Sequence, residues 1–213
     1  MIDLPLAFLT ALLLGMRHAT DADHVVAVST IVSRERSVVR AATIGAVWGL
    51  GHTLTIFVAG GAILAFKWTI SARVGLSLEF TVALMLVTLG VLNLAPHRHA
   101  AVATWRLRPF LVGVVHGLAG SAALALLVLP LIDDVRIAVT YLAVFGAGTV
   151  IGMAIVTFAL AAPAAWASRR LDAFGRGLRL ASGALSLAFG LWLGYRIGFV
   201  DGLFTGAPQW TPR

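Results

Sequence analysis

Long apolar runs dominate the chain and are separated by short polar connectors. A helix needs about 20 mostly apolar residues to cross the hydrocarbon core of a bilayer. Six stretches are long enough: Leu4–Val32, Ala41–Phe66, Leu76–Ala95, Phe110–Ile132, Ile137–Ala162 and Leu178–Val200. The pattern predicts an all-α integral membrane protein with six transmembrane helices. Residues 1–213 would form one transmembrane domain, with residues 201–213 as a polar tail.

Composition agrees with that pattern and excludes most other classes of protein. Apolar residues make up 60% of the chain and charged residues only 12%, whereas soluble domains carry about 25% charged residues. The mean hydropathy of +0.96 leaves too little polar surface to cover a soluble core. Cysteine is absent, which excludes a disulfide scaffold and thiolate metal sites.

The basic residues are distributed unequally between the two sets of connectors. Cytoplasmic loops of membrane proteins carry the excess of Lys and Arg. The odd-numbered connectors hold ten of these residues, namely Arg34, Arg36, Arg40, Arg98, Arg106, Arg108, Arg169, Arg170, Arg176 and Arg179. The opposite side holds five, namely Lys67, Arg73, Arg136, Arg196 and Arg213. We therefore expect the odd loops in the cytoplasm and both termini outside, and we interpret the net charge of +7 as a topology signal rather than as nucleic-acid binding.

The two halves of the chain share glycine and histidine positions. Gly15 and His18 lie 98 residues before Gly113 and His116, Gly49 and Gly51 lie 97 before Gly146 and Gly148, and Gly90 lies 100 before Gly190. These offsets predict a duplication, with residues 1–95 and 109–200 as two three-helix repeats. Because three spans are an odd number, the repeats would have opposite orientations, which is a transporter architecture.

A polar cluster interrupts the first apolar run. It consists of Arg17, His18, Thr20, Asp21, Asp23 and His24. A central Asp or Arg costs about 2.5–3.5 kcal/mol on insertion scales, so these groups must be paired, hydrated or bound to an ion. Ionisable residues within spans are functional candidates by default.

The spacing of the cluster allows two backbone arrangements. On one continuous helix, His18, Asp21 and His24 share a face and Asp23 points elsewhere. However, Thr20-x-x-Asp23 is also a helix-start signature, with Thr20 as the N-cap. A new helix here would break the span near its middle and let Asp23 join the other side chains.

Three interpretations of this cluster remain open from the residues alone. In the first, Arg17 and an Asp form a buried structural ion pair, which leaves the histidines without a role. In the second, the same residues form a proton relay. We favour coordination of a metal ion, because two imidazoles and two carboxylates form a borderline N/O ligand set that suits divalent transition metals.

Two further histidines lie within predicted spans. His52, followed by Thr53, is expected to add a ligand from the second span. His116 in the fourth span matches His18 in the repeat, and we expect it to line the pathway or support a ligand, together with Arg17, Thr20 and Thr53. Alternatively, each histidine could be an ordinary hydrogen-bonded core residue.

The segment Arg17-His-Ala-Thr-Asp-Ala-Asp-His24 resembles the signature of the nickel/cobalt transporter family, in which an Asp-His pair follows four residues after a histidine. Gly51-His52-Thr53 resembles the second motif of that family. The second half, including His116-Gly-Leu-Ala-Gly-Ser121, is similar to its shorter, urease-accessory-type members. The chain departs from typical members in having fewer predicted spans and no clear equivalent of the later motifs.

The resemblance implies transport of Ni²⁺, or of Co²⁺, across the bacterial cytoplasmic membrane, most simply as uptake. It implies His18, Asp23 and His24 as essential ligands, with Asp21 and His52 in support. The metal is cargo and no cofactor is expected. The partners would be the metal ion and the lipid bilayer, with a homo-oligomer left open and nucleic acid excluded. The rival functions are a nickel/cobalt exporter and a haem-binding electron carrier using His52 and His116. An enzyme is not expected, since the chain lacks the His-Glu-x-x-His motif of a metalloprotease.

Overall fold

The computed structural model describes residues 4–33, 35, 37–66, 71–95, 107–117, 132, 134–168 and 172–210. All regular structure in these residues is helical, as the apolar pattern predicts. The helices are α1 Leu4–His18, α2 Ala22–Val32, α3 Val38–Phe66, α4 Ala72–Leu94, α5 Leu107–Gly117, α6 Val135–Ser168 and α7 Asp172–Tyr195, followed by a π-helical segment Arg196–Val200.

Within the described residues, four stretches of helix are long and apolar enough to cross a membrane. They are Val38–Phe66, Ala72–Leu94, Val135–Pro163 and Gly175–Val200, which correspond to the second, third, fifth and sixth predicted spans. The first predicted span forms the two shorter helices α1 and α2. Of the predicted fourth span, α5 is described and most of the remainder lies outside the described residues. The architecture is that of an α-helical membrane protein, and the number of six spans stays a prediction.

Lipid-facing side chains explain why these helices are apolar almost all round. Leu54 and Val58 on α3, Leu84 on α4 and Leu191 on α7 are exposed, and would be stable only against hydrocarbon. The buried side holds small residues and polar side chains beside large apolar residues such as Trp48. The helices therefore turn their polar groups inwards, which a soluble protein would not do.

The helices form two packed groups. In the first group, α1 packs along α6, α6 along α3, and α3 along α5. In the second group, α4 packs along α7, and α2 contacts both. The two short helices of the first predicted span therefore pack differently, because α1 lies on α6 whereas α2 packs mainly on α4 and α7 and also reaches α6.

Close helix contacts in the first group occur in matching pairs. A methyl group at Gly15 of α1 would overlap the carbonyl oxygen of Phe145 in α6, and one at Gly113 of α5 would overlap that of Trp48 in α3. Gly148 of α6 likewise contacts the carbonyl of Leu12, and Gly51 of α3 contacts that of Phe110. The members of each pair lie 97 or 98 residues apart in sequence.

The second group shows the same pairing. Gly90 of α4 lies against the backbone of Leu187 in α7, and Gly190 of α7 lies against the backbone of Val87 in α4. Both glycines contact backbone atoms, which cannot move as a flexible side chain could. Small residues at these positions let helices approach closely where the bilayer supplies no hydrophobic drive for association.

The C-terminal segment folds back onto α4 after the π-helical turn. Gly202 adopts a φ of 86°, which reverses the chain. The indole N–H of Trp210 then donates to the buried carboxylate of Glu79 at 2.8 Å, and its ring covers Gly75. Residues 201–210, predicted as a polar tail, thus pack against the start of α4.

We predict that Gly190→Leu destabilises the protein strongly, because the new side chain would collide with the backbone of α4 and overpacking costs about 1–3 kcal/mol or more. Thermal unfolding of the purified protein in detergent measures the effect. Gly61→Leu is the control, since a Cβ at Gly61 meets no atom of the described residues within 4 Å. Equal melting temperatures for the two variants would contradict the close packing of α4 on α7.

Candidate metal centre

The first predicted span is broken at the polar cluster. α1 ends at His18, and two tight turns close it, with the amide of Thr20 donating to Arg17 O at 2.8 Å and that of Asp21 to His18 O at 3.1 Å. α2 then begins at Ala22 with Asp21 as its N-cap residue. The prediction of a break is confirmed, but Thr20 as the N-cap is wrong, because its hydroxyl donates back to Arg17 O at 2.6 Å.

The break places helix ends at the cluster. His18 is the last residue of α1, and Ala22 is the first residue of α2. The last carbonyl groups of a helix carry partial negative charge, and its first amide groups carry partial positive charge. The break therefore brings a helix C-terminus and a helix N-terminus to the same region, and the cluster's own side chains decide which ion it can hold.

Four buried imidazoles from four helices meet at this point. His18, His24, His52 and His116 lie on α1, α2, α3 and α5, and all are buried. The ring of His24 lies 4.5 Å from that of His18, 5.2 Å from that of His52 and 4.1 Å from that of His116, measured between centroids. His24 is therefore the centre of the cluster.

The two aspartates bind different histidines. The Asp21 carboxylate accepts from His18 Nδ1 at 2.9 Å. The Asp23 carboxylate lies 3.2 Å from His24 Nδ1 and 2.9 Å from His116 Nε2. The Asp21 side chain is 37% exposed and that of Asp23 only 18%, so that Asp23 is the carboxylate enclosed by the cluster.

These bonds leave ring nitrogens directed into the cluster. His18 Nε2 lies 2.9 Å from His52 Nε2. Among the described residues, His24 Nε2, His52 Nδ1 and His116 Nδ1 are buried and make no hydrogen bond. An unsatisfied buried polar atom costs about 1–3 kcal/mol, so three of them on neighbouring rings indicate a site built for a ligand. A histidine that binds a metal typically holds a carboxylate on its other ring nitrogen, as His18 does here.

The donor atoms fall into two triplets. In each triplet, one atom from every residue lies within 4.8 Å of the others: His18, His24 and His52 form the first, and Asp23, His24 and His116 form the second. Imidazole and carboxylate donors of this kind suit a divalent transition metal. The chemistry that this geometry supports is the reversible binding of such an ion within the apolar bundle.

Trp48 is a cluster residue that the sequence did not indicate. It is fully buried, stacks at 5.6 Å on His24 and meets the His116 ring edge-on at 5.4 Å. Its indole nitrogen has no hydrogen-bond partner in the described part of the chain. Trp48 lies four residues before His52 and therefore on the same helical face. This spacing was the one feature of the sequence that could have placed Trp48 near the cluster.

Three of the residues predicted to line the pathway or support a ligand lie outside the histidine cluster. The side chain of Arg17 is exposed, as is Thr20. Thr53 donates to the carbonyl of Gly146 at 3.2 Å and so belongs to the contact between α3 and α6. The fourth such residue, His116, lies in the cluster itself.

Comparison with known proteins gives one informative relative. The urease accessory protein UreH of Bacillus sp. (strain TB-90) is 34% identical over 221 residues, which cover 95% of this chain and 96% of UreH. No family model matches the chain, and no solved structure matches it. The name UreH describes an accessory protein rather than an enzyme, in agreement with the sequence prediction. At this identity and coverage, the chain belongs to the family of the urease accessory protein UreH.

Proposed function

We propose that the chain carries a divalent transition-metal cation, Ni²⁺ first and Co²⁺ as the alternative, across the bacterial cytoplasmic membrane into the cell. The observation that carries this proposal is the cluster of four buried histidines and Asp23 at a helix break within an apolar bundle, with ring nitrogens that have no partner among the described residues. The family name adds support, since a urease accessory role is nickel-related.

The proposal includes six spans arranged as two inverted three-helix repeats, residues 1–95 and 109–200. Two matches between the halves support it: Gly15 and Gly113 make equivalent helix contacts, and so do Gly90 and Gly190. Under this relation α1 corresponds to α5, α3 to α6, and α4 to α7. Transporters of this design bind their cargo near the membrane midplane, where the repeats meet and helices are interrupted.

The ligand set would exchange water for protein donors as the ion enters. The carboxylate of Asp23 offsets part of the charge, and the C-terminal carbonyl groups of α1 add negative potential. The affinity has to be moderate, because the ion must leave again. An inside-negative membrane potential favours uptake by roughly 2.3 kcal/mol per charge per 100 mV, thus about 4.6 kcal/mol for a divalent ion. No further energy source is needed for the inward direction.

The haem-carrier alternative fits the cluster poorly. A haem held by His52 and His116 needs a flat macrocycle between their rings. The His24 ring packs against both of them, with centroids 5.2 Å from His52 and 4.1 Å from His116, and would collide with a macrocycle that extends beyond the two rings. An exporter would use the same ligands as an importer, and the direction of metal movement in cells distinguishes the two.

We predict that cells producing the protein accumulate Ni²⁺, more than Zn²⁺ or Mn²⁺, and that His24→Ala reduces accumulation to the level of cells without the protein. Elemental analysis of washed cells measures this. Asp21→Asn should retain partial activity, because removing an outer-shell carboxylate typically weakens metal affinity by roughly 10–100-fold.

His99→Ala serves as the matched control, because it removes an imidazole that lies in a predicted loop rather than in a span. Membrane insertion of each variant is checked by immunoblot of the membrane fraction. Near-normal uptake by His24→Ala would contradict the site. Increased metal resistance with lowered cell metal would instead identify an exporter.

Uptake should fall as the pH is lowered. A ligating histidine must be unprotonated, and an ordinary imidazole has a pKa of about 6.5. Protons therefore compete with the ion for the ligating nitrogens, and we expect uptake to fall progressively towards low pH. Initial rates measured between pH 5 and 7.5 at constant free Ni²⁺ test this, and a flat profile would argue against histidine ligation.

The proposed sidedness can be mapped with single cysteines, because the chain has none of its own. Thr205→Cys should react with a membrane-impermeant maleimide in intact spheroplasts, since the C-terminus is predicted to lie outside. Ala100→Cys, in a predicted cytoplasmic loop, should react only after permeabilisation. The reverse pattern would invert the topology and, with it, the direction argued from the membrane potential.

A further inference from the structure

The two donor triplets differ in chemistry although they share one residue. The first triplet, His18, His24 and His52, supplies nitrogen only, and its carboxylates are hydrogen-bond partners of the rings, Asp21 of His18 and Asp23 of His24. The second triplet, Asp23, His24 and His116, includes a carboxylate oxygen. The first is therefore a neutral set of softer donors, whereas the second carries a formal negative charge.

The triplets also come from different helices. His18 and His52 lie on α1 and α3, whereas His116 lies on α5 and Asp23 on α2. The rings of His52 and His116 are separated by 6.0 Å, further than either ring lies from His24. The donors thus surround two adjacent points with His24 between them, rather than a single point.

Two divalent ions could not occupy both points at once without strong repulsion, because their interaction is four times that of two single charges at the same short distance. One ion moving between them would keep His24 as a neighbour throughout. It would exchange the other two donors in turn and would never be left without a protein ligand in the apolar interior.

We propose that the centre holds two alternative positions for one ion, a His18–His24–His52 position and an Asp23–His24–His116 position, and that the cargo passes between them over His24. This rests on the proposed function. It makes His116 a direct ligand of the second position rather than only a hydrogen-bond partner of Asp23. Trp48, in contact with both His24 and His116, is the residue that positions these two rings.

The absence of native cysteine offers a direct test with purified protein in detergent and Co²⁺ as the probe. A thiolate bound to Co²⁺ gives an intense charge-transfer absorption that nitrogen and oxygen ligands do not give. We expect this band in His52→Cys and also in His116→Cys, each saturating at one Co²⁺ per chain. Thr53→Cys, whose native side chain bonds to Gly146 O instead, should give none.

A second substitution in the same chain distinguishes two ion positions from one shared position. Adding Asp23→Asn should weaken Co²⁺ binding at least tenfold more in the His116→Cys background, where Asp23 is a ligand, than in the His52→Cys background, where it is only a hydrogen-bond partner of His24. Adding His24→Ala should abolish the band in both. Size-exclusion profiles and melting temperatures matching the unsubstituted protein establish that each variant is folded.

Several results would overturn the inference. A band in His52→Cys but none in folded His116→Cys would show that His116 is not a ligand. Equal weakening of both backgrounds by Asp23→Asn would show one shared position. Saturation at two Co²⁺ per chain would show simultaneous occupancy. In each case the proposed function could stand, because it fails separately if cells producing the unsubstituted protein show no change in metal content.

Discussion

The structure depends on placing one carboxylate, that of Asp23, inside an apolar helix bundle. A buried charge is tolerated only when it is paired and hydrogen-bonded, and Asp23 meets this condition through His24 and His116. Those bonds need two donors, His24 on the same helix, α2, and His116 on α5. The helix break, the approach of α5 to α3 and the burial of four imidazoles all serve that requirement.

Glycine makes this convergence possible. The side chains of His52 and His116 approach because α3 and α5 touch at backbone distance, with Gly113 against Trp48 and Gly117 against the carbonyl of His52. A larger residue at either glycine would separate the helices and pull His116 away from Asp23. The cluster is thus held by packing outside it as much as by its own hydrogen bonds.

The sequence predicted those residues of the site that are unusual in a membrane span, namely its polar and ionisable side chains. Asp21, Asp23 and two histidines in an apolar run signalled both a functional cluster and a break, because such groups are costly in lipid. The exact cap was not predictable, since Thr20 and Asp21 both suit an N-cap and the tight turn at His18 decides between them.

Trp48 could not be identified from the sequence, because a core tryptophan and a site tryptophan give the same pattern in an apolar helix. His116 was placed only by its offset from His18, and its contact with Asp23 needed the fold.

The helix break also divides the ligands between the two packed groups. His18 is carried by α1 on α6, whereas Asp23 and His24 are carried by α2, whose far end is tied to the second group. There the Asn93 amide donates to Ser33 and Ser182, which join the end of α2 to α4 and α7. These bonds, 3.1 Å each, fix the far end of α2 to the second group, and α2 also contacts α6 and α3. A displacement between the groups would change the distance from His18 to His24, whereas Asp23 and His24 would stay together on their common helix. A ligand set divided in this way could lose donors to an ion without the unfolding of any helix, because its members are carried by separate helices.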